Sequence, residues 1–203
     1  MMQKLGHIIS TIFQPLLIPT YGLLLLFQAG LFTYTQFNYK LFTVISIFIL
    51  TAIVPLMAIL ILKKVGVVSS VALSEGKERT LPYLFAIFSY IAALIFLWRI
   101  YMPVYIVAMM AGCVLATTLV TIINIKWKIS AHLCAMGCLC AAILIVSFRL
   151  GINSTWVLAF SFVAAGFVSM ARIVLGVHTP LQTIAGFALG FILIASFGMI
   201  NIA

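Results

Sequence analysis

Seven long apolar stretches constrain this chain more than any other feature of its sequence. Each is close to the length of about 20 residues that an α-helix needs to cross the hydrocarbon core of a bilayer. Only 6% of the 203 residues are charged and 66% are hydrophobic, a composition that excludes an ordinary soluble domain. We therefore predict an all-α polytopic transmembrane helix bundle of about seven helices, with six as the alternative count. The approximate bounds of the stretches are 5–29, 41–62, 82–98, 103–123, 131–148, 155–171 and 179–200.

The first stretch needs its own argument, because an N-terminal apolar segment can also be a cleavable signal. It is longer than the apolar region of a signal peptide, it has little early basic charge, and Pro15 and Pro19 interrupt it. We interpret it as a membrane span. Since no soluble region remains, residues 1–203 are predicted to form a single integral membrane domain.

Small and sulfur-containing residues lie inside the predicted spans. The four cysteines favour a role in core packing over a metal-ligand or redox role, because all of them fall within apolar stretches. Gly186 and Gly190 are spaced for a close contact between helices of the same bundle. The cysteines are Cys113, Cys134, Cys138 and Cys140.

A polar segment before the last span carries two ionisable residues, Arg172 and His178. Ionisable residues at membrane depth are costly and usually functional. The guanidinium of arginine is a planar charged fork that suits phosphate oxygens. A neutral imidazole can act as a nucleophile or a general base near neutral pH. The pair therefore predicts an anionic phosphate ligand.

The residues that follow His178 are typical of a helix start. Thr179 is predicted to be the N-cap, Pro180 the first helical residue and Gln182 the reciprocal member of a capping box. His178 would then lie just outside a helix N-terminus, where main-chain N–H groups and the helix dipole favour an anion. Gln182 is equally well explained as a helix cap alone.

Three loops are predicted to lie on one face of the bundle. If seven helices alternate in direction, the loops 63–81, 124–130 and 172–178 emerge together with the N-terminus. Ser130 is predicted to cap the fifth span, which leaves His132 in its first turn. Two histidines and several cations suit phosphoryl transfer, because one histidine can attack phosphorus while the other protonates the leaving oxygen. The residues that this face offers are Lys77, Arg79, Lys128, His132, Arg172 and His178.

These residues resemble the motifs of the type 2 phosphatidic acid phosphatase superfamily, which shares a core with vanadium haloperoxidases. The third family motif is Ser-Arg, five residues, His, three residues, Asp, and Arg172, His178 and Gln182 have this spacing. The second motif, Pro-Ser-Gly-His, corresponds to Ile-Ser-Ala-His at 129–132. The first motif, Lys, six residues, Arg-Pro, is the weakest match. Its arginine corresponds to Arg79.

The resemblance implies a role for each matching residue. His178 would be the nucleophile that forms a phosphohistidine, and His132 the general acid. Arg172 and Ser130 would bind the substrate phosphate, together with Arg79. The family lysine of the first motif is replaced by Ala72, and Lys77 could substitute for it only if the loop folds back.

Several residues depart from the family pattern. Ala72, Ala131 and Ala171 stand where the family has Lys, Gly and Ser, and another departure removes an acidic charge. The chain contains no Asp, and Gln182 stands where the family has the Asp that orients the nucleophilic histidine. A neutral amide can accept a hydrogen bond from a ring nitrogen, but it supplies no charge. Some branches of the superfamily, such as glucose-6-phosphatase-like proteins, resemble this chain in having Gln there.

Other polar residues have simpler explanations. His7 is predicted to be an interfacial group. Arg79 could instead pair with Glu75 or Glu78. The lysines beside the spans are most simply topology and headgroup residues. These lysines are Lys63, Lys64, Lys126 and Lys128.

The sequence as a whole predicts a membrane phosphatase that hydrolyses a phosphate or diphosphate monoester of a lipid, with its motifs between residues 74 and 182. The lipid chain is expected to stay in the bilayer during the reaction. The alternatives are a phosphotransferase with the same residues, and an inactive phosphatase-fold protein that binds or transports an anionic lipid. No cofactor or metal is predicted, because two Glu and no Asp cannot form a carboxylate-rich cation site.

Partners and location follow from the same composition. Membrane lipids are the expected partners. Nucleic acid is not expected, because the net charge of +9 is spread along membrane edges. The oligomeric state is open. The expected location is a bacterial inner membrane. Eight of the 11 basic residues lie on the motif face, so the positive-inside rule predicts that this face is cytoplasmic. The resemblance implies a periplasmic face, and the orientation is left open.

Overall fold

The computed structural model describes residues 2–28, 35–69 and 80–200, which form helices joined by turns and short loops. Seven segments of this part are long and apolar enough to cross a membrane, which confirms the predicted fold class and number of spans. Two of the segments consist of two helices each. The α-helices are α1 (Met2–Ile12), α2 (Ile18–Gln28), α3 (Phe37–Phe48), α4 (Val54–Lys64), α5 (Thr80–Arg99), α6 (Val104–Asn124), α7 (Ala131–Leu150), α8 (Thr155–Val174) and α9 (Pro180–Gly198).

The first span is broken between α1 and α2. Proline has no N–H and disfavours the helical conformation of the residue before it, so Gln14 is extended, with φ −60° and ψ 130°. A 3-10 turn at Pro15–Leu17 then leads into α2. The hydroxyl of Tyr21 donates to the carbonyl of Ile12 at 3.0 Å, which satisfies a main-chain group at the end of α1. The segment predicted as one span is therefore two helices joined by a turn.

The second span contains a π-helical turn at Ile49–Ile53. The N–H of Val54 donates to the carbonyl of Ile49, five residues back. In the same register the carbonyl of Leu50 would need an N–H at position 55, which is a proline. Ser89 of α5 donates its hydroxyl to that carbonyl instead. The proline thus produces a polar link between the second and third spans, as expected where neighbouring helices satisfy a disrupted membrane helix.

Helix α7 is the most buried span and packs most extensively against α9. Glycines let the two main chains approach closely, because a Cβ at Gly186 would overlap the carbonyl oxygen of Ser130, and one at Gly190 that of Cys134. This confirms the predicted small-residue contact within the bundle. The four cysteines, all within the described residues, form no disulfide. Cys134, Cys138 and Cys140 are buried and Cys113 is half-buried, as their predicted packing role requires.

At the end opposite the motifs, Arg149 links α7 to the end of α9. Its guanidinium donates to the carbonyl of Gly198 at 2.7 Å and to that of Ile200 at 3.0 Å. It also lies 5.2 Å from the centre of the Tyr105 ring. A cation at a helix C-terminus satisfies the last carbonyls and offsets the helix dipole. Arg149 is therefore part of the packing of the bundle.

Replacing Arg149 with alanine is expected to lower the midpoint of thermal unfolding by about 5 °C, because a hydrogen bond to a charged group contributes about 1.5–3 kcal/mol. Arg99→Ala is the matched control, because Arg99 is exposed and lies over the adjacent Trp98 ring. Thermal unfolding of the detergent-solubilised variants measures both effects. Equal midpoints for the two variants would contradict a structural role of Arg149.

Candidate active site

The end of α8 is built so that the chain turns back immediately after Arg172. The N–H of Val177 donates to the carbonyl of Arg172 at 3.1 Å, and the N–H of Gly176 to that of Ile173 at 2.9 Å. Gly176 has a φ of +66°, which glycine adopts without steric cost. These bonds form a Schellman motif, a common end of a helix. The motif brings His178 back beside the last turn of α8, where its N–H reaches the carbonyl of Arg172 at 3.3 Å.

The start of α9 has the predicted capping box. The hydroxyl of Thr179 accepts from the N–H of Gln182 at 3.4 Å, and the side chain of Gln182 accepts from the N–H of Thr179 at 3.1 Å. Pro180 is the first helical residue, as predicted. Because an N–H can donate only to the oxygen of the amide, the contact with Thr179 fixes the orientation of the Gln182 side chain.

His178 is buried, and its Nδ1 atom meets two acceptors. The carbonyl of Lys128 and the Oε1 atom of Gln182 each lie 3.1 Å from Nδ1. Both are oxygens that can only accept, so Nδ1 carries the proton in the neutral ring and Nε2 carries the lone pair. The oxygen of the capping residue Gln182 therefore accepts from both the N–H of Thr179 and Nδ1 of His178.

The N-termini of α7 and α9 lie together. Ser130 is the N-cap of α7, as predicted, with its hydroxyl accepting from the N–H of Leu133 at 3.4 Å. The main-chain N–H of Ser130 donates to the carbonyl of Gln182 at 3.2 Å. Two helix N-termini therefore meet beside Arg172 and His178, and their dipoles favour a bound anion.

His132 lies in the first turn of α7, as predicted, and its ring reaches toward α1. Its Nε2 atom is 3.2 Å from the carbonyl of Ser10. A carbonyl only accepts, so Nε2 carries a proton in this contact. The N-terminal helix thus packs against α8 at this end, where an added Cβ at Gly6 would lie 3.2 Å from Leu175.

A comparison with family models finds a match at this end of the molecule. Residues 124–200 match the model described as PAP2 superfamily. The resemblance to the type 2 phosphatidic acid phosphatase superfamily is confirmed. The match covers the loop before α7 and helices α7 to α9, which hold the Ser130, His132, Arg172 and His178 positions. No curated protein and no solved structure matches the chain.

Within the region that matches the family model, the structure brings most of the predicted site residues to one end of the bundle. Hydrogen bonds connect His178, Gln182 and the main chain of Ser130, and Arg172 is buried in the same turn. His132 is also at this end, but its ring is linked to α1. Arg79 and Lys77 lie outside the described residues.

Two contacts of the site have no signal in the sequence. Lys128 was predicted to be a topology residue, yet its carbonyl orients His178. Ser10 belongs to the first span, far from the motifs along the chain, yet its carbonyl orients His132. Any residue can offer a main-chain carbonyl, so the identity of the side chain gives no indication of such a role.

Proposed function

We propose that this protein is a membrane phosphatase that hydrolyses a phosphate or diphosphate monoester of a lipid through a phosphohistidine at His178. The coarser statement, an integral membrane protein with a phosphatase-like fold, follows from the spans and the family match. The reaction, the residues that carry it and its independence of metal ions are our proposal.

The observation that carries the proposal is the pair of acceptors at Nδ1 of His178. A histidine nucleophile needs one ring nitrogen unprotonated and the ring held in place. The carbonyl of Lys128 and Oε1 of Gln182 meet both requirements, since they retain the Nδ1 proton and fix the ring. Gln182 thereby does the orienting work of the family Asp without its charge.

The surroundings of His178 suit the charge of a phosphoryl group. Arg172 provides a permanent cation in the same turn. Ser130 can donate its hydroxyl hydrogen while the oxygen caps α7. The N-termini of α7 and α9 add partial positive charge. In this proposal Arg79 and Lys77, which the structure does not describe, are further phosphate ligands.

The proposed reaction has two steps. In the first, Nε2 of His178 forms a bond to phosphorus as the bond from phosphorus to the ester oxygen breaks. His132 enters this step as an imidazolium and gives that oxygen the proton of its Nδ1 atom. In the second, His132 takes a proton from water, whose oxygen attacks phosphorus and breaks the bond to Nε2. Inorganic phosphate and the dephosphorylated lipid are the products.

The proposal is tested by phosphate release from a panel of lipids by the purified protein in detergent. The panel contains phosphatidate, phosphatidylglycerophosphate, an isoprenyl diphosphate and a lipid A phosphate, each assayed with EDTA. We expect release from at least one of them, unaffected by the chelator. Loss of release in EDTA would contradict the metal-free mechanism. If folded protein releases phosphate from none of the four lipids, the proposed phosphatase activity is contradicted.

Gln182→Leu is expected to lower kcat for phosphate release about 10- to 100-fold. The variant removes an acceptor from Nδ1 of His178, so the ring is less well oriented and its other tautomer is more populated. Gln182→Glu should retain activity, because glutamate at this position completes a capping box and also accepts the Nδ1 proton.

The control for Gln182→Leu is Thr179→Ala, which removes the other half of the capping box and leaves the contact between Gln182 and His178. Loss of a cap costs about 1 kcal/mol of stability, so both variants should unfold at lower temperature. Only Gln182→Leu should lose kcat by tenfold or more. If Thr179→Ala loses as much kcat, Gln182 acts as a helix cap and not as an orienting residue.

A second candidate function is an inactive phosphatase-fold protein that binds or transports an anionic lipid. It is favoured by the contact of His132 with Ser10, because a neutral ring whose proton is held on Nε2 by that carbonyl has no proton on Nδ1 to give a leaving group. Such a protein would bind the lipids of the panel saturably and release no phosphate from them. A burst of phosphohistidine on mixing with substrate would exclude it.

A further inference from the structure

A long cavity runs through the bundle beside α7. It has a volume of about 650 Å³, within the range of ligand pockets. Residues of α7 line it from Ala131 to Ser147 at steps of three and four, so the cavity follows one face of the helix. Sixteen residues of α-helix rise about 24 Å, most of the hydrocarbon thickness of a bilayer of about 30 Å.

The walls of the cavity select an apolar occupant. Most of the lining residues belong to α2, α6 and α7, and most of these residues are apolar. Apolar cavities exclude water, so this lining favours an apolar occupant. A hydrocarbon chain from the surrounding bilayer fits both the chemistry and the shape.

The two ends of the cavity differ. At the motif end its lining includes Ala131, the residue between Ser130 and His132 of the candidate active site. At the opposite end the lining includes polar groups, which disfavour a hydrocarbon chain. These groups belong to Gln28, Ser147, Asn153 and Ser154.

We propose that this cavity receives the single hydrocarbon chain of a phosphorylated lipid substrate and limits the length of that chain. The inference rests on the proposed function for the identity of the lipid as substrate. It replaces the expectation that the chain stays in the bilayer, because Ala131, between Ser130 and His132, lines the motif end of the cavity. A single alkyl or isoprenoid chain fits a channel of this shape, and polar residues at the far end oppose a longer one.

The position of the chain is tested by photolabelling in lipid nanodiscs. The probe is hexadecyl phosphate with a diazirine at the end of its chain, and labelled residues are mapped by mass spectrometry. We expect labels on the far half of the cavity, at Ile106, Met110 and Val146, and their loss when unlabelled hexadecyl phosphate is added. Labels confined to lipid-facing residues such as Phe160 would overturn the proposal, as would cavity labels that hexadecyl phosphate does not displace.

The length limit is tested with Ala142→Phe, which adds an aromatic ring to the lining about 16 Å from Ala131 along α7. We expect kcat/KM for hexadecyl phosphate to fall about tenfold and that for octyl phosphate to change less than about twofold. Ala142→Leu should give a smaller fall. The control is Ala159→Phe on the exposed face of α8, which should change neither.

The two experiments separate this inference from the proposed function. If the protein releases no phosphate from any substrate, the phosphatase proposal fails, but photolabelling still reports whether a chain enters the cavity. The second case is that phosphate is released but Ala142→Phe lowers kcat/KM equally for both substrates, or for neither. The lipid chain then does not use the cavity, and the phosphatase proposal stands without this inference. Thermal unfolding of the Ala142 variants shows that they are folded.

Discussion

His178→Ala is expected to abolish phosphate release, with kcat/KM falling at least about a thousandfold. The variant removes Nε2, the atom that forms the bond to phosphorus in the proposed mechanism. The cations and helix N-termini remain, so binding of a phosphorylated lipid should persist. Phosphate release in detergent measures the first effect, and retention of radiolabelled hexadecyl phosphate on the immobilised protein measures the second.

The matched control is His7→Ala. His7 lies on the exposed side of α1, so its replacement should leave release unchanged. Because His178 is buried and bonded to the loop before α7, His178→Gln is a second variant that keeps a polar side chain of similar length. Release above a hundredth of the wild-type rate in either His178 variant would contradict a phosphohistidine at this position.

Much of the fold could be predicted from the sequence, because the bilayer leaves few choices. A span must be a helix of about 20 apolar residues, so the seven stretches gave the seven spans to within a few residues. Local chemistry was also sufficient at the start of α9, where Thr179, Pro180 and Gln182 form the predicted capping box. The N-cap at Ser130 followed in the same way. These features depend on neighbours along the chain.

Features that depend on distant neighbours could not be predicted. The sequence suggested that Pro15 interrupts the first span, but the turn geometry and the packing of α1 against α8 required the structure. The acceptors of His178 and His132 include main-chain carbonyls of Lys128 and Ser10, which packing selects. The cavity beside α7 is likewise a property of several helices together. Tertiary structure decides which group contacts a ring nitrogen. Motif spacing therefore predicted which histidines belong to the candidate site but not which of their ring nitrogens carries the proton.

Gly190→Ala is the prediction with the largest expected effect on folding. A Cβ at this position would overlap the carbonyl oxygen of Cys134 and lie 2.8 Å from its carbonyl carbon. Main-chain atoms of a helix cannot turn aside as a flexible side chain can, so α7 and α9 must separate. Overpacking of a core costs about 1–3 kcal/mol even where side chains can move, so we expect the midpoint of unfolding to fall by about 10 °C or more.

Gly166→Ala is the matched control for Gly190→Ala. Gly166 is exposed within α8, and a Cβ there would meet nothing within 4 Å. An alanine in an exposed helix position is more favourable than glycine by about 1 kcal/mol, so this variant should unfold at the same or a higher temperature. Equal stability of the two alanine variants would contradict close contact of α7 with α9. That contact also aligns Ser130 with Gln182, so Gly190→Ala should lose phosphate release below its unfolding temperature, whereas Gly166→Ala should retain it.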